Sequence, residues 1–217
     1  MQKKRMIIMN FSSYQIKPSS FVADTSVIIN LNATEYAASI IQCTIKKLYI
    51  TPQVYRELDS GKNQGHNDKE KIDLLIKQGL VVLLPLKKMG IALYEQLITG
   101  KAGDTLHDGE AATIGCAFEN KITAIIDEKK ATQICQQKYS SIKIAPTIDW
   151  FLCDDIKNTL GQEIQKAVIF NALKNARMNI PTNQITKTIS FIGIEKAKQC
   201  RTLAKHLKNQ TIVKQSA

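Results

Sequence analysis

An α/β fold built on a central parallel sheet is what the sequence predicts, on three observations. Short apolar runs such as FVAD, LYI, LVVLL and ITAII alternate with longer helical patterns, the signature of successive βαβ units. Those runs have strand length and are bounded by Asp, Pro or Gly, as buried strands are. The 217 residues, 44% of them hydrophobic, exceed the usual single-domain size but fall short of two full cores, so one main domain with an appendage fits.

The elements follow in order. Residues 21–24 open the first strand. Thr25, Ser26 and the apolar run to Leu31 lead through Asn32 into a helix-like stretch at 35–47, and 48–50 form a second short strand. Thr51-Pro52 reads as an N-cap followed by proline at the first helical position, opening a helix that carries Val54, Tyr55, Glu57 and Leu58. A polar loop at 61–68 precedes an amphipathic helix at 69–78, stopped by Gly79. Residues 80–84 are the clearest buried strand of the chain, closed by Pro85. Two helices, 89–98 and 109–119, flank a Gly- and Asp-bearing linker. Residues 122–126 form a buried strand ending at Asp127, 128–137 its crossover helix, and 142–145 a last strand before Pro146. Beyond Ile148 the pattern is helical, with breaks near Gly161 and at Pro181. This divides the chain into a leading tail (1–19), an α/β domain (20–157) and a basic extension of two or three helices (158–217).

Thirty Lys and Arg against 19 Asp and Glu give a net charge of +11, which favours a polyanionic partner through the summed field and counterion release. Ten basic against two acidic residues from Asn158 onward supply +8 of it. Solvated lysine-rich helices carry such charge for solubility alone, so charge by itself does not decide the function. The five cysteines are far apart, with no C-x-x-C and no histidine at zinc-ligand spacing; they read as reduced thiols of a cytoplasmic protein. The apolar run near the start is too short for a signal peptide, and no stretch approaches a membrane span. Absence of G-x-x-x-x-G-K-[ST] and of G-x-G-x-x-G argues against nucleotide-driven and dinucleotide enzymes.

Four carboxylates stand where the alternation brings them together. Asp24 ends the first strand, Glu57 lies in the helix after the second, Glu110 opens a helix, and Asp127 ends a later strand. In an open α/β sheet the carboxyl ends of the strands face one crevice. Carboxylates crowded there repel one another, and a hard divalent cation, Mg²⁺ or Mn²⁺, relieves the repulsion with phosphate and water completing its shell. Each acid alone has a plainer reading: Asp24 followed by Thr-Ser as a helix cap, Glu57 as a surface residue, Glu110 as a complement to a helix N-terminus, Asp127 as a turn residue. Their joint placement favours a metal pocket.

The strings VADTSVIINL (22–31), ITPQVYREL (50–58), DGEAATIGCA (108–117) and AIIDEKKA (124–131), in this order and spacing, resemble the PIN-domain nucleases, the fold of many toxin ribonucleases in toxin-antitoxin pairs. The resemblance covers roughly 21–155. It implies a three-layer α/β/α domain with a central parallel sheet and an acidic pocket binding Mg²⁺ or Mn²⁺. Carried onto this chain, Asp24, Glu110 and Asp127 are metal-binding carboxylates, Glu57 completes the catalytic set, and Thr25 or Ser26 orients the first Asp or touches phosphate. The fourth acid is Asp127 or Glu128; in the third motif Asp104, His107 and Asp108 crowd Glu110, which ranks first with Asp108 behind it. Lys129 and Lys130 stand at the pocket edge as candidate phosphate-binding residues beside their plainer reading as a solvated helix turn, and Trp150 with Phe151 reads as core.

The implied activity is metal-dependent hydrolysis of phosphodiesters in RNA or single-stranded nucleic acid. The partners that go with it are an antitoxin protein and a second copy of the chain, with no membrane. A non-catalytic PIN-like module that binds nucleic acid or scaffolds a complex is the alternative, motivated by the irregular fourth motif. A phosphatase of the haloacid type requires a second Asp where this chain has Ser26.

Overall fold

The structure is a computed structural model that describes residues 20–45, 47–62, 67–100, 103 and 105–215. The leading tail and Asp104 lie outside the described residues. In chain order the elements are β1 (Ser20–Ala23), α1 (Thr25–Ala33), α2 (Ala37–Thr44), β2 (Lys47–Ile50), α3 (Pro52–Lys62), α4 (Asp68–Lys77), β3 (Val81–Leu83), α5 (Lys88–Ile98), α6 (Asp108–Asn120) and β4 (Thr123–Ile125). There follow α7 (Lys129–Lys138), β5 (Ile144–Ala145), α8 (Thr147–Phe151), α9 (Asp154–Leu160) and α10 (Gln162–Asn175). After a 3-10 turn at Thr182–Gln184 come α11 (Ile185–Ile192), α12 (Ile194–Lys198) and α13 (Arg201–Gln215). None of the described helices is long and apolar enough to cross a membrane.

The five strands pair in parallel in the order β3-β2-β1-β4-β5, so β1 lies at the centre, and the crossover helices cover both faces. Alternation along the strands divides the core. Phe21 and Ala23 of β1 belong to the layer with α1, α2 and α3, whereas Val22, Ala124 and Ile126 face the layer of α5, α6 and α7. This is the three-layer α/β/α arrangement expected. Helices α5 and α6 approach so closely that a Cβ on Gly115 would meet the carbonyl oxygen of Gly90 at 2.5 Å.

Three expectations change. Helix begins before the expected stretch at 35–47: the run after Asp24 folds at once into α1, because Asp24 caps the helix N-terminus and Val27, Ile28 and Leu31 then lie on its buried side. The run 80–84 is an edge strand, with Val81 buried and Leu83 39% exposed; its apolar residues cannot report sheet order. The helical pattern beyond Asn158 divides into four α-helices rather than two or three, since Gly193 adopts φ 89° and separates α11 from α12.

The charge of the last third conceals an apolar underside. Val168, Ile169, Ala172, Leu173, Met178, Ile180, Ile189 and Leu203 join the same core cluster as β1 and α1. Asn158 lies within α9, and Asn171 donates to the Thr34 carbonyl at 3.1 Å, which closes the C-terminus of α1. Trp150 packs as core, edge-on to Phe21 with centroids 5.5 Å apart, and its indole N–H donates to Thr44 Oγ1 at 2.9 Å. Substituting Trp150→Phe should lose about 1 to 2 kcal/mol, mainly by leaving that hydroxyl without its donor, and Trp150→Ala about 3 to 5 kcal/mol. Chemical denaturation monitored by circular dichroism measures both, and a Trp150→Phe variant as stable as wild type would show that the hydrogen bond contributes little.

Candidate functional site

At the carboxyl end of the central strands lies a cleft of about 390 Å³ lined by Asp24, Thr25, Ser26, Ile29, Glu57, His107 and Glu110. Asp24 is 3% exposed. One carboxylate oxygen, Oδ1, accepts from the Val27 amide and the Ser26 hydroxyl, both at 2.9 Å. The other oxygen has no hydrogen-bond partner among the described residues. Burial pushes the carboxyl up to about 7; nearby Asp127 and Glu110 raise it further, against the lowering effect of the Val27 and Ser26 hydrogen bonds.

Glu57 reaches the cleft from the second turn of α3. It accepts from the Gly109 amide at 2.7 Å through Oε1 and from the Thr25 hydroxyl through Oε2, so it ties α3 to the N-termini of α6 and α1. A side chain at 109 would collide with it, since a Cβ there would sit 2.5 Å from Oε2. Glu110 stands one residue further into α6 and accepts only a long 3.4 Å bond from the His107 amide. Burial raises its pKa; the charges of Glu128 and Glu57 add to this and His107 opposes it.

Asp127 follows β4 but does not line the cleft. Its Oδ1 accepts from the Thr147 amide at 2.7 Å, and its Oδ2 from the Thr147 hydroxyl at 2.7 Å and the Asn30 amide at 2.8 Å. The carboxylate is thereby engaged by three donors from α1 and α8, and its main-chain carbonyl accepts from Asn179 at 3.2 Å. Burial pushes Asp127 up to about 6 against those hydrogen bonds, with Asp149 adding to the rise.

The remaining candidates lie outside the lining. Asp108 turns away to the Tyr94 hydroxyl and to Arg56, 3.9 Å distant. Glu128 caps α7, accepting from the Lys130 amide at 3.2 Å. Lys130 extends to the Thr105 carbonyl at 2.5 Å, while Lys129 is exposed. Asn30, Thr147 and Asn179 gained no role from sequence: each acts through Asp127, distant in the chain, and only the long separations visible in the structure identify them.

Among the described residues no three acidic, histidine or cysteine side chains converge into a ready-made metal cage. Mg²⁺ does not require one, because it is held through one or two carboxylates while keeping its waters. The donor set fits: an unengaged oxygen on buried Asp24, with the Glu110 carboxylate in the same cleft.

Residues 20–194 match the sequence family described as a PIN domain. The chain belongs to the PIN-domain nuclease family. The PIN match extends beyond Asn158 through α11, over helices that share the core of β1. Among solved structures, a chain of VapBC2 from Rickettsia felis, crystallised with a DNA fragment from its promoter, is similar with a TM-score of 0.43 and 15% identity. The match covers 58% of this chain and 98% of that one. No curated protein matches the sequence.

Asp24 in the cleft and Asp127 behind it make stability fall with rising pH. Folded Asp24 titrates near 7 and Asp127 near 6, above their ordinary 3.8, so between pH 4 and 7 the folded state holds more protons than the unfolded one. Stability is then greatest below pH 4 with respect to these two groups and is lost as pH rises through 6 and 7. The loss is on the order of a few kcal/mol. Denaturation midpoints at pH 5 and pH 8 should differ in that direction for wild type and much less for Asp24→Asn; a midpoint independent of pH would contradict the desolvated cleft.

Proposed function

We propose that the chain is a divalent-metal-dependent nuclease that hydrolyses phosphodiester bonds in RNA or other single-stranded nucleic acid. One observation carries the proposal: within a PIN domain, the unengaged oxygen of buried Asp24 shares a cleft with Glu110 and Glu57. A bound Mg²⁺ or Mn²⁺ would polarise the phosphoryl oxygens and lower the pKa of an attacking water. Asp24 and Glu110 would hold it. Glu57 is a positioning residue, since both oxygens are engaged and it fixes where α6, and hence Glu110, begins. Thr25 and Ser26 set the orientation of Glu57 and Asp24. Exposed His107 at the rim is placed to donate to a non-bridging phosphate oxygen.

Asp127 serves the site from behind. By holding Thr147 and Asn30 it fixes α1 against α8, and its charge adds to the field at Asp24. With three donors on about four lone-pair sites, Asp127 keeps one site on Oδ1 through which it could also reach a cation. An antitoxin segment laid over the cleft, a paired second copy and a cytoplasmic setting belong to the same reading; the free state of all five cysteines agrees with a reducing compartment. A second reading, a non-catalytic module that binds nucleic acid, is favoured by the hydrogen bonds that occupy both oxygens of Asp127 and of Glu57.

Cleavage of end-labelled RNA and single-stranded DNA in Mn²⁺, Mg²⁺ or EDTA separates the two. Cutting should require the metal, and Asp24→Asn and Glu110→Gln should each reduce it by at least about 100-fold. Binding without cutting under every metal condition would leave the non-catalytic module. Gly109→Ala supplies a sharper check. Its Cβ displaces the Glu57 carboxylate, the flexible end of a long side chain. Melting temperature should therefore change by only a few degrees while cutting falls about tenfold, and unchanged cutting would remove Glu57 from the machinery.

A further inference from the structure

An acidic cleft repels the polyanion that it is proposed to cut, so grip must come from elsewhere on the molecule. On α10, Glu163, Lys166, Phe170 and Lys174 recur at spacings of three and four and share one face. Lys174 Nζ and Lys196 Nζ, from α10 and α12, lie 5.2 and 5.8 Å from the ring centroid of Phe170. Two like charges thus converge on one half-buried aromatic. The nearby acid, Glu163, is engaged by Lys166 at 2.8 Å.

Beyond α10 the backbone turns through Arg177, whose φ is 56°. Glycine adopts this left-handed conformation freely at helix ends, whereas any residue with a Cβ is strained there. Arg177 is exposed and has no ion pair among the described residues. Met178 and Ile180 are buried, and the exposed Asn179 between them donates to the Asp127 carbonyl at 3.2 Å. Two residues of chain span at most about 7 Å, which brings Arg177 within a side chain's reach of the segment behind Asp24.

We propose that Lys196, Lys174 and Arg177 form a track that holds the phosphate backbone of a single-stranded nucleic acid and leads it past Asn179 into the cleft. The proposal rests on the nuclease reading for the identity of the strand. The helices after Asn158 then do two jobs: the apolar side completes the core and the basic side grips the substrate. Arginine at position 177, in place of the glycine that the backbone favours, follows from the second job.

The test compares wild type, Arg177→Gly alone, the triple substitution Lys174→Gln, Arg177→Gly, Lys196→Gln, and a charge-matched control, Lys77→Gln, Lys88→Gln, Lys121→Gln. Binding of a 5′-fluorescein 20-nucleotide oligouridine is measured by anisotropy in EDTA over a range of KCl. The triple variant should bind at least about tenfold more weakly, and its slope of log affinity against log salt should be shallower by about 2, as for three lost contacts to a single strand. The control should bind like wild type. Arg177→Gly relieves the left-handed strain, so it should melt no lower than wild type and still bind more weakly.

Hydrolysis of bis(4-nitrophenyl) phosphate with Mn²⁺, a diester too small to reach the track, should be unchanged in the triple variant. Equal RNA affinity in wild type and triple variant overturns the track, as does an equal loss in the control. A wild type that prefers phosphatidylglycerol vesicles to the oligonucleotide overturns it too. If RNA binding drops as expected but wild type does not hydrolyse the small diester, the track stands and the nuclease reading falls.

Discussion

Asp24 carries an unusual burden for a carboxylate: it is buried at the end of the central strand, yet its desolvation is only partly offset by two hydrogen bonds. The same two bonds set the start of α1 and so direct the chain out of the sheet. Much of the site is arranged around that carboxylate. Thr25 and Ser26 occupy their positions because the helix begins where it does. Glu57 then binds Thr25 on one side and the Gly109 amide on the other, and this places Glu110 in the same cleft as Asp24. An unfavourable burial is thus kept in place by neighbours that are themselves well paired, as expected where function requires local strain.

A second acid, half-buried, closes the arrangement from the far side. Asp127 joins α1, α8 and the segment after α10 through Asn30, Thr147 and Asn179. Three donors orient that carboxylate and leave one lone-pair site on Oδ1 open. The two aspartates follow adjacent parallel strands, β1 and β4, and differ in character because Asp127 accepts on both oxygens and Asp24 on only one. The segment after α10 adds to the anchoring, since its Asn179 donates to the Asp127 main-chain carbonyl, and the C-terminal helices pack their apolar side into the layer beneath α1.

Much of the fold is legible in the chain. The strand-length apolar runs gave each of the five strands to within a few residues, and Thr51-Pro52 marks the start of α3, with the Thr51 hydroxyl accepting from Val54 at 3.3 Å. Gly79, at φ 71°, ends its helix as expected. What local pattern did not reveal is α1, whose residues 27–31 are apolar enough to pass for strand. It also misjudged β3, because an edge strand in a covered sheet is composed like a central one. For the site, Asp24 and Glu110 stand out at the ends of elements, whereas Glu57, inside α3, stands out only through the family resemblance. Asn30, Thr147 and Asn179 were not, since neutral polar residues gain meaning only from the partner they meet.

By itself the sequence determined the alternation of strands and helices, the family, the positive charge and the identity of the acids. These depend on local pattern and residue type, which a chain carries in order. Only the tertiary structure decided which acids share the cleft, that Asp127 is engaged while one oxygen of Asp24 is not, and that basic helices read as an extension form part of the core. Such distinctions depend on which donors arrive from 20 to 97 residues away, and the distances between those residues exist only once the sheet has ordered its strands.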